Sequence, residues 1–166
     1  MKIKKMNKVL IALDYNPTAQ KVAETGFSMA KSMNAEVVLM HVMADPVFYT
    51  TPGYSAVMGF PGYPYMDPVM PVNSEKLKNA SLQFLDKTKH HLGDDTIKTL
   101  VEEGDFADTI LETAKKVNAD IIVIGSHSRR WLENIVMGSV TERVLHHTST
   151  PLFIVPTRKN KSGKSK

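Results

Sequence analysis

Four small residues hold the spacing most suggestive of chemistry. Gly125 closes the apolar run Ile121 to Ile124, Ser128 follows after two residues, and Gly138-Ser139 follows after nine more. A buried strand that ends in a small-residue loop and leads into a helix leaves the first helical N–H groups without intrahelical partners. Those amides stand at the positive end of the helix dipole and bind phosphate or another anion. A second polar feature, Asp14, ends the apolar run of KVLIALD near the start of the chain. Each residue also has a plainer use. Asp14 could cap the next helix, Gly125 could serve only as a turn glycine, and Ser139 could be an ordinary helix cap.

The elements that must position these residues follow from hydrophobic spacing. Lys8 to Asp14 and Glu36 to Val42 read as buried strands, Asp95 to Gly104 as a less buried one, and Asp120 to Ile124 and Leu152 to Val155 as two more. Between them lie amphipathic helical patterns. The first starts at Asn16-Pro17-Thr18, the second carries Leu77, Ala80, Leu82, Phe84 and Leu85, the third runs from Asp105 to Val117, and the last from Gly138 to His147. Gly93 is placed to stop the second. Strand and helix alternate throughout, which predicts an α/β fold with a parallel sheet covered on both faces. Ligands of such sheets bind beyond the carboxyl ends of strands where the strand order reverses. With the order 3-2-1-4-5, Asp14 and Gly125 meet at that reversal.

Composition narrows the rest. A chain of 166 residues has the length of one domain. The absence of cysteine excludes disulfides and thiolate chemistry and fits a reducing cytoplasm. No apolar run approaches the ~18–20 residues of a membrane span. The formal charge of +4 belongs to the ends, because nine of the 21 basic residues lie before Val9 or after Thr157, where no acid stands. Residues 158–166 read as a basic, disordered tail rather than a specific nucleic-acid site. Residues 44–73 hold six of the nine prolines and four of the five tyrosines, so neither helix nor ladder is expected there. They read as a surface insertion into a single domain spanning 1–157.

At these residues the chain resembles the universal stress protein family. The family's nucleotide loop, G-x2-G-x9-G-[ST] after the fourth strand, is matched at every spacing by Gly125, Ser128 and Gly138-Ser139. The first strand ending in Asp14, the run ADIIVIG at 119–125 and a last strand set between Pro151 and Pro156 also fit. The likeness extends over roughly Lys8 to Pro156. Serine at 128 departs from the glycine usual in the nucleotide-binding members, where glycine permits close backbone approach and positive φ.

The resemblance implies a five-stranded, Rossmann-type sheet of the adenine nucleotide alpha-hydrolase kind. It implies ATP or AMP at the carboxyl ends of strands one and four, with Mg²⁺ bridging phosphate oxygens. Ala12, Leu13, Asp14 and the backbone near Val42 would face the adenine and ribose. Ile124 and Gly125 would approach the ribose and phosphate, with His127 and Ser128 beside the phosphates. Gly138, Ser139, Val140 and Thr141 would hold phosphates through amides and hydroxyls. It also implies a homodimer through Leu152 to Val155 and signalling to a protein partner. The alternative is a dimeric stress or interaction protein that binds no nucleotide, motivated by Ser128 and the insertion.

Other signals carry less. His127 is the one candidate base near the loop and no P-loop lysine is present, which argues against rapid ATP hydrolysis. Gly163-Lys164-Ser165 lacks the first glycine and the frame of a Walker loop. The pairs His90-His91 and His146-His147 lack metal-ligand spacing, and Met58, Met66 and Met70 suit a contact surface better than a soft metal. Arg129, Arg130 and Trp131 fall in the loop, with solvent and a neighbouring subunit as their expected surroundings.

Overall fold

The computed structural model describes residues 5–15, 17–43, 74–126 and 138–157. Expectations that fall on 44–73, on 158–166 and on His127, Ser128, Arg129, Arg130 and Trp131 lie outside the described residues. Five strands form one sheet: β1 (Lys8–Ala12), β2 (Glu36–Met43), β3 (Lys98–Glu103), β4 (Ile121–Gly125) and β5 (Leu152–Val155). Every adjacent pair is parallel and the order is β3-β2-β1-β4-β5, as expected.

Strand parity assigns the two faces. Odd-numbered residues such as Val9, Ile11, Leu39 and Val123 pack toward helices α1 (Ala19–Ser32) and α2 (Ser74–Leu92). Even-numbered residues such as Leu10, Met40, Ile122 and Ile124 pack toward α3 (Phe106–Lys116) and α4 (Ser139–His147). A period of two and apolar side chains on both faces explain why β1, β2 and β4 read as unbroken apolar runs. Leu10, Ile11, Leu39 and Ile122 are fully buried, each contributing roughly 1.5–3 kcal/mol of hydrophobic stabilisation.

The helix ends follow local chemistry. Gly93, with φ of 70°, follows the last residue of α2 as its spacing predicts. Helices α1 and α3 end alike without glycine. Asn34 (φ 54°) and Asn118 (φ 55°) take the left-handed position. The amides of Ala35 and Ala119 then reach back to the carbonyls of Ala30 and Ala114 at 2.9 and 2.8 Å, and those of Asn34 and Asn118 to Lys31 and Lys115. This is the double-bonded helix stop, and asparagine is the residue other than glycine best suited to it.

Strand β3 begins later than its alternation suggests. The Asp94 carboxylate accepts the Thr96 amide at 2.9 Å and holds a turn there, so the strand starts at Lys98. Lys31 of α1 also bonds Asp94, and with Thr96 it lowers the Asp94 pKa from 3.8 to about 2. A carboxyl depressed on folding stabilises the protein above its unfolded pKa and loses that contribution as pH falls. Wild-type protein should therefore exceed Asp94→Asn in stability at pH 6. The gap should close between pH ~4 and pH ~2 in denaturant titrations, and a constant gap would exclude the linkage.

Asp120 ties the other end of the sheet together. Its Oδ2 accepts the amides of Asn7 and Lys8 at 2.9 and 3.1 Å, and its own amide donates to the Lys8 carbonyl at 2.8 Å. The entry to β4 is thus stitched to the entry of β1, which sets their register. Among the described residues no helix is long and apolar enough to cross a membrane.

Candidate functional site

The strand order reverses between β1 and β4, which are direct neighbours with Leu10 opposite Ile122 and Ile11 opposite Val123. Asp14 lies two residues past the end of β1, and Gly125 is the last residue of β4. The two features, more than a hundred residues apart in sequence, thus stand at the carboxyl edge of two neighbouring strands. Ala12 and Leu13 are buried, Ile124 is buried at the end of β4, and Val42 is buried near the end of β2. Asp14 is not the cap of α1: that position is Thr18, with Pro17 and Thr18 forming the turn before the helix.

Gly125 is not a turn glycine. It lies within β4, paired with Val155. A side chain there would meet Val22 of α1 at 3.0 Å and Thr157 at 3.2 Å. Its smallness lets α1 and the chain after β5 close on the strand end. Ser126, next along, anchors three segments. Its amide donates to the Val155 carbonyl at 2.9 Å, its carbonyl accepts the Gly138 amide at 2.9 Å, and its hydroxyl accepts the Thr157 amide at 3.1 Å. A backbone hydrogen bond therefore joins Ser126 to Gly138, the residues that flank 127–137.

Gly138, not Ser139, is the N-cap of α4, with extended φ and ψ of −70° and 149°. The first intrahelical bond runs from the Glu142 amide to the Gly138 carbonyl at 2.9 Å. The amides of Ser139, Val140 and Thr141 precede that bond and have no acceptor within the helix, so they stand at the positive end of the α4 dipole. Thr141 differs from the expected role in one respect. It is buried, and its hydroxyl donates to the Gly125 carbonyl at 2.8 Å, tying α4 to β4. Its hydroxyl proton is thus committed to the fold, and its offering to an anion is its amide. Arg143 pins the same helix from outside through Asp105 and Asp108 of the α3 start, at 3.0 and 2.8 Å.

Sequence reasoning passed over the other wall. The imidazole of His41, 1 % exposed, donates from Nδ1 to the Leu13 carbonyl at 2.8 Å. Its ring lies 4.1 Å from that of Tyr15, which in turn meets Phe84 edge-on at 5.1 Å. The Tyr15 hydroxyl bonds Ser81 of α2. The pattern in the sequence that could have flagged this wall is a histidine interrupting the otherwise apolar run of β2. His91, by contrast, bonds Glu24 of α1 at 2.6 Å, a helix-to-helix contact. Among the described residues no group of three or more His, Cys, Asp or Glu could hold a metal ion.

Comparison with known proteins agrees with this architecture. Residues 5–156 match the model of the Universal stress protein family. Universal stress protein MJ0531 of Methanocaldococcus jannaschii is 30 % identical over 150 residues, covering 89 % of this chain and 81 % of that protein. A universal stress protein solved in complex with cAMP superposes with a TM-score of 0.64 at 19 % identity, over 93 % of this chain and 100 % of the other. The universal stress protein from Archaeoglobus fulgidus in complex with dAMP gives 0.57 at 17 % identity, over 91 % and 98 %. At these identities the two structures speak for the fold.

Proposed function

This chain belongs to the universal stress protein family, and on that premise we propose that it binds an adenine nucleotide, ATP or AMP, beyond the carboxyl ends of β1 and β4 and acts as a regulatory stress-response module. The observation that carries the reading is the amino terminus of α4, whose first three amides have no acceptor within the helix, at the same carboxyl edge of the sheet as Asp14. Phosphates suit the former by charge and geometry, and Asp14 suits the ribose hydroxyls or the base as an acceptor. Solved relatives in complex with cAMP and with dAMP support the ligand class. Gly125 and Ser126 would line the floor, with His127 and Ser128 beside the phosphates and Mg²⁺ held mainly by phosphate oxygens. The compartment that suits this role is the cytoplasm, whose nucleotide pool would load the site.

The deciding experiment is the ligand content of freshly purified protein, denatured and resolved against nucleotide standards, followed by titration with Mg·ATP and AMP. Near-stoichiometric nucleotide or saturable binding supports the proposal. A protein that is empty and ignores both ligands sinks it.

A homodimer through β5 is proposed with it. β5 is an edge strand, and Phe153 on it is 37 % exposed beside Met29 and Ser28 of α1. An apolar edge invites pairing with a second copy. Sedimentation at micromolar concentration should give a dimer that Phe153→Asp converts to monomer; a monomeric wild type would refute it.

A further inference from the structure

We propose that His41 and Tyr15 are positioning residues that clamp the backbone on either side of Asp14, so that its carboxylate meets the adenine nucleotide already in place. The inference rests on the nucleotide reading above. It begins with the peptide that enters Asp14. The Leu13 amide donates to the Met40 carbonyl at 2.9 Å, and the Leu13 carbonyl accepts His41 Nδ1–H at 2.8 Å. Both polar groups of Leu13 are thus held by β2, one residue past the end of β1. The imidazole extends the ladder by one side-chain bond.

The residue after Asp14 is held as well, by the helix α2. The Ser81 hydroxyl donates to the Leu77 carbonyl at 2.8 Å, so in its bond with Tyr15 it accepts and the phenol donates. The Tyr15 ring packs against both His41 and Phe84, 4.1 and 5.1 Å away. Asp14 therefore sits between two anchored neighbours, one tied to β2 and one to α2. Ordering that is complete before binding need not be supplied by the ligand, which raises affinity without adding a contact.

Three variants test this by calorimetry with Mg·ATP and by thermal unfolding. His41→Asn keeps an N–H donor near the position of Nδ1 but loses the ring. His41→Phe keeps the ring but loses the donor. Affinity should follow the donor: about tenfold weaker in His41→Phe and within about threefold of wild type in His41→Asn. Melting temperature should fall in both. Tyr15→Phe removes only the hydroxyl bond to Ser81 and should weaken binding about threefold, which keeps the test open if His41→Phe does not fold. Unchanged affinity in His41→Phe, or equal losses in both His41 variants, would overturn the positioning role, as would unchanged affinity in Tyr15→Phe. A wild type that binds no nucleotide instead fails the site itself, and the two failures are told apart by the wild-type titration.

Discussion

Gly138→Asp is expected to weaken adenine-nucleotide binding about 100-fold or more without lowering the melting temperature. Gly138 is the N-cap of α4, and its φ and ψ of −70° and 149° are open to any L-residue. Aspartate there would turn its carboxylate onto the amides of the first turn, as N-cap aspartates do, at a gain in helix stability of ~0.3 kcal/mol. Those are the amides proposed to meet the phosphates. The ligand would meet them already occupied, with a like charge beside it. Stability and affinity should therefore move apart, which a general folding defect cannot produce. Gly138→Ala separates charge from bulk: it adds a methyl group but no charge, and should cost far less affinity than the aspartate. Calorimetric titration with Mg·ATP beside thermal unfolding reads both quantities. Equal affinities in wild type and Gly138→Asp would place the phosphates elsewhere.

What was legible in the sequence divides along a physical line. β1, β2 and β4 are buried on both faces, so their apolar runs announce them, and their alternation with amphipathic helices implies the parallel order. The spacing from Gly125 to Gly138 is local and could be read directly. The reasons for individual residues were not local. Gly125 looked like a turn glycine because its true constraint, the approach of Val22 and Thr157, comes from elements distant in the chain. Asp14 and Ser139 each had a plausible reading as helix caps, but Thr18 and Gly138 hold those positions. Asp120 bonds amides 112 and 113 residues away, a pairing no periodicity signals. His41 sits in an apolar run and gains its meaning only once Leu13, Tyr15 and Phe84 surround it. The Asn34 and Asn118 stops do carry a local signal, asparagine followed by alanine at the end of an apolar helical pattern, which sequence reasoning passed over.

The second large effect is expected at Gly26, in the middle of α1. Helix interiors disfavour glycine by roughly 0.8–1.0 kcal/mol relative to alanine, so its presence there needs a packing reason. A Cβ at Gly26 would lie 2.9 Å from Cδ1 of Ile11 and 3.0 Å from Cγ1 of Val123, both fully buried on the central strands β1 and β4. The helix rests on the sheet at the one point where it carries no side chain. That same proximity brings Val22 to within 3.0 Å of the Cβ position of Gly125, so the seat of α1 also shapes the end of β4. Gly26→Ala sets the gain in helix propensity against a contact with the movable tip of Ile11, and should change stability by less than about 1 kcal/mol. Gly26→Leu has no such escape. Its side chain must lift α1 off both strands, at an expected cost of about 3 kcal/mol or more. Because α1 also covers Gly125, nucleotide affinity should fall together with stability, unlike the divergence expected at Gly138. Urea unfolding of the two variants measures the difference; a Gly26→Leu protein as stable as wild type would mean that α1 is free to shift on the sheet.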